Sequence, residues 1–179
     1  MTTFVALLRG INVGGRNPVA MSDLRQLAAG LDLEEPRTLL QSGNLVFRSE
    51  GRTAEIARRL EDETKKRLAL ATTFILRTAK EWATIIARNP LADMAAGDPS
   101  HLVVVFLQEA PTAKAWKALA AAITGPEILS GSGKEAYIAY TAGIGRSRLT
   151  IEAIESKLGT RGTGRNWNTV LKLATLLED

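Results

Sequence analysis

The chain has 179 residues and a mass of 19.3 kDa, a length that fits one domain or two small ones. It contains no cysteine and a single histidine, His101, which excludes a disulfide framework, a thiolate nucleophile, a zinc finger and any Ser-His relay not built on His101. The net charge is +4 and the pI about 9.6, and residues 131–172 alone carry seven basic and three acidic side chains. This excess favours an anionic partner, and the alternative is a soluble surface with a slightly basic end.

No segment approaches the roughly 20 consecutive apolar residues that a membrane-spanning helix needs. The first four residues, Met1 to Phe4, lack the basic region and the cleavage pattern of a signal peptide. We therefore expect a cytoplasmic protein with no membrane partner.

The first part of the chain predicts a β-α-β-β-α-β unit. In chain order, the pattern predicts a strand at 4–8, a helix capped by Ser22, strands at 38–40 and 45–47, a helix at 53–70 and a strand at 73–76. This order is that of the split β-α-β, or ferredoxin-like, unit. A capping box, Thr78 to Glu81, opens one more helix, which ends at Asn89-Pro90. We place the first domain at residues 1–90.

The second part repeats this plan less regularly. The pattern predicts a strand at 102–107, a helix that begins at Thr112, strands at 128–129 and 137–140, and helices at 148–158 and 167–177. Residues 160–165 show no strand pattern, so the second unit, at residues 98–179, is expected to lack a regular last strand. The predicted fold class is therefore α+β, with two tandem ferredoxin-like units.

The first strand of each half is apolar at consecutive positions. Residues 4–8 and 102–107 do not alternate between apolar and polar side chains, as a strand with one solvated face would. Both faces of these strands should be covered. The other half of the same chain is the nearest cover, which predicts one compact globule, and a homodimer is the alternative.

The segment from Arg9 to Asn17 is a glycine-bearing connection between the first strand and the first helix. It is longer than such connections usually are. Gly14 and Gly15 allow positive φ angles, so that backbone N–H groups can face an anion, and Arg9 and Arg16 add guanidinium donors. The spacing matches neither a dinucleotide-binding nor a Walker motif. The alternative is a structural connection whose asparagines and glycines form turns.

The segment Gln41-Ser42-Gly43-Asn44 is typical of a tight turn between two strands. No general base lies near Ser42 in the sequence, so a nucleophilic role for this serine is disfavoured. We expect this turn at the opposite end of the sheet from the connection at Arg9. On that expectation the two segments do not form a single site.

A third polar segment, Thr163 to Thr169, opens the last helix. Asn166 or Asn168 is the expected N-cap, and Arg165 adds positive charge where a helix N-terminus already attracts anions. Trp167 either stacks on a base or anchors the helix in the core.

These segments, in this order, resemble the bacterial "domain of unknown function 1697" family. The resemblance rests on Leu7 to Gly15, Leu40 to Asn44, Asn89-Pro90 and Arg165 to Val170, with Leu91 standing where the family usually has phenylalanine. It implies an internally duplicated, ferredoxin-like α+β fold and supplies no established activity. The polar and aromatic residues that it singles out are Arg9, Asn12, Gln41, Ser42, Asn44, Arg165, Asn166 and Trp167.

Our leading hypothesis is binding of an anionic ligand, either nucleic acid or a nucleotide phosphate, near the boundary of the two units. An enzyme that clamps a small phosphorylated or carboxylated substrate with Arg9 and Arg165 is one alternative, and a structural protein whose motifs only hold the fold is another. We assign no catalytic residue, cofactor or metal. The candidate binding residues are Arg9, Asn12, Gly14, Gly15, Arg16, Gln41, Ser42, Asn44, Arg165, Asn166 and Trp167.

Overall fold

A computed structural model describes residues 1–178, and in it two stretches of the chain each form a four-stranded antiparallel sheet. The first sheet has the strand order β2-β3-β1-β4, which is that of a ferredoxin-like unit. The first stretch consists of β1 (Thr2–Leu8), α1 (Met21–Ala29), β2 (Glu34–Leu39), β3 (Asn44–Ser49), α2 (Thr53–Leu68) and β4 (Phe74–Thr78).

The second stretch repeats this connectivity, with the strand order β6-β7-β5-β8. Two helices, α3 (Ala79–Ala87) and α4 (Ala92–Gly97), precede it. The predicted fold class, two tandem α+β units, is confirmed. The second stretch consists of β5 (Leu102–Leu107), α5 (Ala113–Ala122), β6 (Ile128–Ser132), β7 (Glu135–Ala139), α6 (Ile151–Leu158), β8 (Gly162–Asn166) and α7 (Trp167–Glu178).

Strand β8 corrects the prediction that the second unit lacks a regular last strand. It pairs along its whole length with β5, from Val103 opposite Asn166 to Leu107 opposite Gly162. The sequence Gly-Thr-Gly-Arg-Asn carries no aliphatic side chain, so it shows no strand periodicity. A Cβ atom at Gly164 would lie 3.0 Å from Val103 Cγ1. Small residues therefore stand where neighbouring side chains already fill the space.

The internal duplication extends to individual residues of the last strand in each sheet. Arg77 of β4 pairs with Val5, and Arg165 of β8 pairs with Val104, at equivalent positions of the two sheets. Both arginines are buried. In each unit the arginine is followed by the residue that caps the next helix, Thr78 or Asn166.

The starts of α2, α3, α5 and α7 agree with the sequence prediction, whereas α6 begins at Ile151 instead of residue 148 and α1 also differs. In the capping box, the backbone N–H of Thr78 donates to Glu81 Oε2 (2.7 Å) and that of Glu81 donates to Thr78 Oγ1 (3.2 Å). Thr112 accepts from the first turn of α5 in the same way. The prediction of a Ser22 cap is wrong, because α1 already begins at Met21 and has no side-chain cap.

Strand β1 is buried on both faces, as its unbroken run of apolar residues predicts. Phe4, Ala6 and Leu8 belong to a core cluster with apolar residues of α1 and α2. Val5 and Leu7, which point the other way because side chains alternate along a strand, are also fully buried. Every residue of β5 is buried as well.

The chain divides into two compact units. The first comprises Met1–Thr84 together with the described chain from Leu173 onward, and the second comprises Ile85–Lys172. Within the first unit, Arg37 Nη2 donates to the carbonyl oxygen of Leu176 (2.7 Å). Within the second, Tyr137 Oη donates to the carbonyl oxygen of Ile85 (2.7 Å).

No described helix combines the length and the apolar character that a membrane span requires.

Candidate functional sites

The connection between β1 and α1 contains a tight turn at residues 13–16. The backbone N–H of Arg16 donates to the carbonyl oxygen of Val13 (2.9 Å), and these two residues form an isolated β-bridge. Between them Gly14 (φ 56°) and Gly15 (φ 74°) both take left-handed conformations. The predicted positive φ angles are thus present, and they give the turn the geometry that favours glycine at both central positions.

Asparagine side chains fix the base of this loop. Asn12 Nδ2 donates to the carbonyl oxygens of Val19 (3.0 Å) and Gln41, while Asn12 Oδ1 accepts from the backbone N–H of Val19 (2.8 Å). Asn17 Nδ2 donates to the carbonyl oxygen of Gly10 (3.0 Å). Every one of these bonds joins a side chain to the backbone, so Asn12 and Asn17 shape the base of the loop rather than its tip.

The turn at residues 41–44 lies directly beside the loop, and the expectation that it lies at the other end of the sheet is wrong. The backbone N–H of Leu8 donates to the carbonyl oxygen of Gly43 (2.9 Å), and Asn12 reaches the carbonyl of Gln41. The reason is strand direction. Strands β1 and β2 are both antiparallel to β3, so they run the same way and end at the same edge of the sheet.

Within the turn, Asn44 is buried and bonded inward. Its Nδ2 donates to the carbonyl oxygen of Leu39 (2.8 Å) and to Ser42 Oγ (2.9 Å). Ser42 is exposed and serves as an acceptor in the turn, and Gln41 is exposed. The local geometry thus gives Asn44 and Ser42 a part in holding the turn.

The two arginines of the loop differ in their surroundings. Arg16 is exposed, and its side chain makes no hydrogen bond or ion pair with any residue in the described part of the chain. Arg9 is half-buried; its backbone N–H donates to the carbonyl oxygen of Thr73 (3.0 Å), and its carbonyl accepts from Thr72 Oγ1 (2.8 Å). Arg16 is therefore the accessible cation of the loop.

The predicted residues of the third segment are largely enclosed within the second unit. Arg165 Nη1 donates to Thr163 Oγ1 (2.7 Å) and to the carbonyl oxygen of Gly164 (2.8 Å). Burial lowers the pKa of Arg165 to about 10, which leaves it protonated at neutral pH. Asn166 Oδ1 accepts from the backbone N–H of Thr169 (3.0 Å), so Asn166 is the one of the two predicted candidates that caps α7. Trp167 is 5% exposed and offers little ring surface to a base.

The second unit also contains a cleft that the sequence did not indicate. Its volume is about 700 Å³, and it lies between the end of α5, residues 123–127, residues 142–149 and α6. Arg146, Arg148 and Lys157 line it. All three contribute to the basic excess of residues 131–172. The sequence analysis placed a candidate site in that region only at the segment around Arg165.

Among residues 1–178, no three His, Asp or Glu side chains form a group that could hold a metal ion. His101 instead lies beside Asp98, with 2.7 Å between Nδ1 and Oδ2. This hydrogen bond holds the pKa of the Asp98 carboxyl below its usual value.

Comparisons with known proteins support the fold and identify the family. The chain is similar to the solved structure of conserved bacterial protein SP0830 from Streptococcus pneumoniae, with a TM-score of 0.79, 22% sequence identity and 98% of each chain covered. At this identity the likeness concerns the fold alone. No curated protein matches the sequence. The family model described as "Protein of unknown function (DUF1697)" matches residues 1–137, and the chain therefore belongs to the DUF1697 family.

Proposed function

We propose that the loop between β1 and α1 binds a phosphate-bearing ligand, nucleic acid or a nucleotide phosphate. The observation that carries this proposal is the exposed tip of the loop. The amides of Gly14 and Gly15 have no acceptor among residues 1–178, and the adjacent Arg16 has no counterion there. Two backbone donors and a guanidinium group at one turn match the oxygens of a phosphate.

The rigid base of the loop supports this proposal. Asn12 and Asn17 already fix the backbone on either side of the tip through bonds to Val19, Gln41 and Gly10. A ligand that binds a preformed turn orders fewer groups, so less of its interaction energy is lost to conformational entropy.

The exposure of the tip favours a nucleic-acid phosphate over an enclosed small ligand. The tip of the turn is open, since no atom of another part of the described chain lies within 4 Å of where a Cβ would be at Gly14 or Gly15. Backbone phosphates are bound on such open basic surfaces, in a manner that depends strongly on salt and weakly on sequence. The net charge of +4 also favours binding of an anionic nucleic acid.

Salt-dependent binding of a mixed-sequence, labelled oligonucleotide tests this proposal. We expect fluorescence anisotropy to show binding at low salt that weakens steeply as salt is added. The substitution Arg16→Gln should weaken binding at low salt by about three- to tenfold. It should also reduce the slope of the logarithm of affinity against the logarithm of salt concentration. Arg52→Gln is the matched control, because Arg52 is exposed in the same unit and lies before α2. Undetectable or salt-independent binding, or equal effects of the two substitutions, would refute the proposal.

For four of the predicted site residues, we infer a role in holding the fold. Asn12, Asn44, Arg165 and Asn166 each bond to backbone groups of their own unit. The enzyme hypothesis used Arg165 as a substrate clamp, and the burial of this residue makes that use less favourable than binding at the exposed loop.

A further inference from the structure

The two units differ in the lengths of two equivalent pairs of connections. Between the first strand and the first helix, the first unit has residues 9–20 and the second has only residues 108–112. Between the third strand and the second helix the order reverses, with residues 50–52 in the first unit and 140–150 in the second. Long connections on a rigid scaffold are where binding sites concentrate. The cleft of the second unit lies along this longer connection.

Hydrogen bonds fix the 140–150 connection as a wall of the cleft. Tyr140 Oη donates to the carbonyl oxygen of Leu149 (2.8 Å) and so ties the two ends of the connection together. Ser147 Oγ accepts from the backbone N–H of Leu149 (3.0 Å) and donates to the carboxylate of Glu127 on the opposite wall. Thr141 also bonds across to the 123–127 segment. The cleft is therefore preformed.

The charges of the cleft are unbalanced. Arg146, Arg148 and Lys157 are exposed to its interior or rim, and none of their side chains makes a hydrogen bond or ion pair with another residue between 1 and 178. The carboxylate in the lining, Glu127, accepts a hydrogen bond from Ser147, which lowers its pKa and keeps it ionised at neutral pH. Three cations against one anion leave the cleft positive, which attracts an anionic ligand.

The remaining lining is mostly apolar. The same space is faced by Leu119 from α5, Ile123 just after it, Leu149 from the long connection and Ala153 from α6. Sites for small molecules combine an apolar wall with a few polar groups and have volumes of about 300–1,000 Å³, a range that includes the 700 Å³ found here.

From this combination we propose that the cleft binds a small organic anion. A phosphate or carboxylate head is held by Arg146, Arg148 and Lys157, and an apolar body rests on the wall around Ile123 and Leu149. This site shares no residue with the loop at Arg16 and lies in the other unit, so either proposal can be refuted without the other.

Four related probes test the proposal by isothermal titration of the full chain: 1-naphthyl phosphate, 1-naphthoate, 1-naphthol and inorganic phosphate. We expect at least one of the two amphipathic anions to bind at least about tenfold more tightly than either 1-naphthol or inorganic phosphate. The better of these two anions identifies the head group. Equal affinity for inorganic phosphate, equal affinity for 1-naphthol, or no binding of any probe would overturn the proposal.

Variants locate the binding. Arg146→Gln combined with Arg148→Gln should weaken the preferred probe by about tenfold or more. The matched control replaces two exposed lysines of α5 outside the cleft, Lys114→Gln with Lys117→Gln, and should leave affinity unchanged. Ala122→Trp should block the cleft without altering its charge. Full binding by either cleft variant would place the probe elsewhere and refute the proposal, whereas Arg16→Gln should have no effect on it.

Discussion

Gly43, in the turn beside the candidate loop, is restricted both by its backbone conformation and by the atoms packed around it. Its φ of +77° is one that side-chain-bearing residues rarely adopt. A Cβ atom here would also lie 2.6 Å from Ile11 Cδ1 and 2.8 Å from Leu8 Cβ. The close approach matters because the Gly43 carbonyl accepts the hydrogen bond of Leu8 that joins the turn to the end of β1.

Replacing Gly43 by alanine should therefore destabilise the protein more than the same change at Gly14. Gly14 also has a positive φ, but open space surrounds it. We expect Gly14→Ala to lower the free energy of unfolding by about 1 kcal/mol and Gly43→Ala to lower it by about 2–4 kcal/mol, since overpacking adds to the backbone strain. Urea titrations followed by circular dichroism measure both values. Equal losses would show that the contacts with Ile11 and Leu8 relax without cost.

Among the polar residues of the loop, the sequence identified the candidates without separating their roles. Asn12 and Arg16 stand four residues apart in one polar motif, and either could have faced a ligand. The structure gives the Asn12 side chain three bonds to backbone and leaves the Arg16 side chain without a partner in the described chain. The two roles differ because the side chains point in different directions. That of Asn12 reaches the carbonyl of Gln41 in the 41–44 turn, and that of Arg16 is exposed.

At the scale of elements, α3 and α7 begin in equivalent ways with different residues. Thr78 and Asn166 both follow a buried arginine and both accept from the first turn of the next helix. Such a cap satisfies a backbone N–H that has no partner within the helix. Each cap is the residue directly before its helix, so a short stretch of sequence determines where α3 and α7 begin.

The cap of α7 can be tested by exchange of its side chain. Asn166→Ala should lower the free energy of unfolding by about 1 kcal/mol, whereas Asn166→Asp should retain most of the stability because aspartate is an equally good acceptor. Asn168→Ala serves as the control, since Asn168 is exposed in the same turn. Urea denaturation measures all three variants. A loss in Asn168→Ala as large as that in Asn166→Ala would mean that the cap bond contributes little.

Strand β8 is the element that sequence patterns hid. Periodicity detects a strand through its apolar side chains, and β8 consists of Gly162, Thr163, Gly164, Arg165 and Asn166. Its place in the sheet comes from pairing with the fully buried β5. The strand is thus specified by its partner, which lies far away in sequence.

At the scale of the whole molecule, two buried tyrosines link stability to alkaline pH. Burial is the main cause that raises the pKa values of Tyr137 and Tyr140 to about 12, from the ordinary tyrosine value of 10.0. Their neutral forms are favoured in the folded state, where each hydroxyl donates to a backbone carbonyl. The stability they contribute is therefore complete below pH 10 and is lost as the pH rises from 10 through 12.

Between pH 10 and 12 the free energy of unfolding falls as these tyrosines ionise. We expect Tyr137→Phe and Tyr140→Phe each to make this fall smaller by about 1–2 kcal/mol. Arg165 has the opposite effect on stability. Burial lowers its pKa to about 10, so the folded protein releases the guanidinium proton at a lower pH than the unfolded chain, and this contribution to stability grows as the pH rises above 10. The quantity to measure is accordingly the difference between variant and parent protein in urea midpoints, followed below and above pH 10. Parallel pH profiles for parent and variants would contradict the assignment.

The duplicated architecture explains where the two proposed sites lie. Each unit keeps the same strand order and extends one different connection, residues 9–20 in the first and 140–150 in the second. The sheets and their helices supply stability, and the extended connections carry exposed cations without a partner among residues 1–178, at Arg16, Arg146 and Arg148. Duplication followed by local extension is a simple way to place different binding surfaces on one scaffold.

The sequence by itself determined the α+β class, the order of most elements and the caps at Thr78 and Thr112, because periodicity and capping act over a few neighbouring residues. For α7 it left Asn166 and Asn168 as alternatives, and the structure decided for Asn166. Only the tertiary structure decided that the 41–44 turn adjoins the loop at Arg9, that β8 completes the second sheet, and that Arg146, Arg148 and Lys157 share one cleft. These features depend on strand direction and on contacts between distant residues. No local pattern records such contacts, since they exist only once the chain has folded.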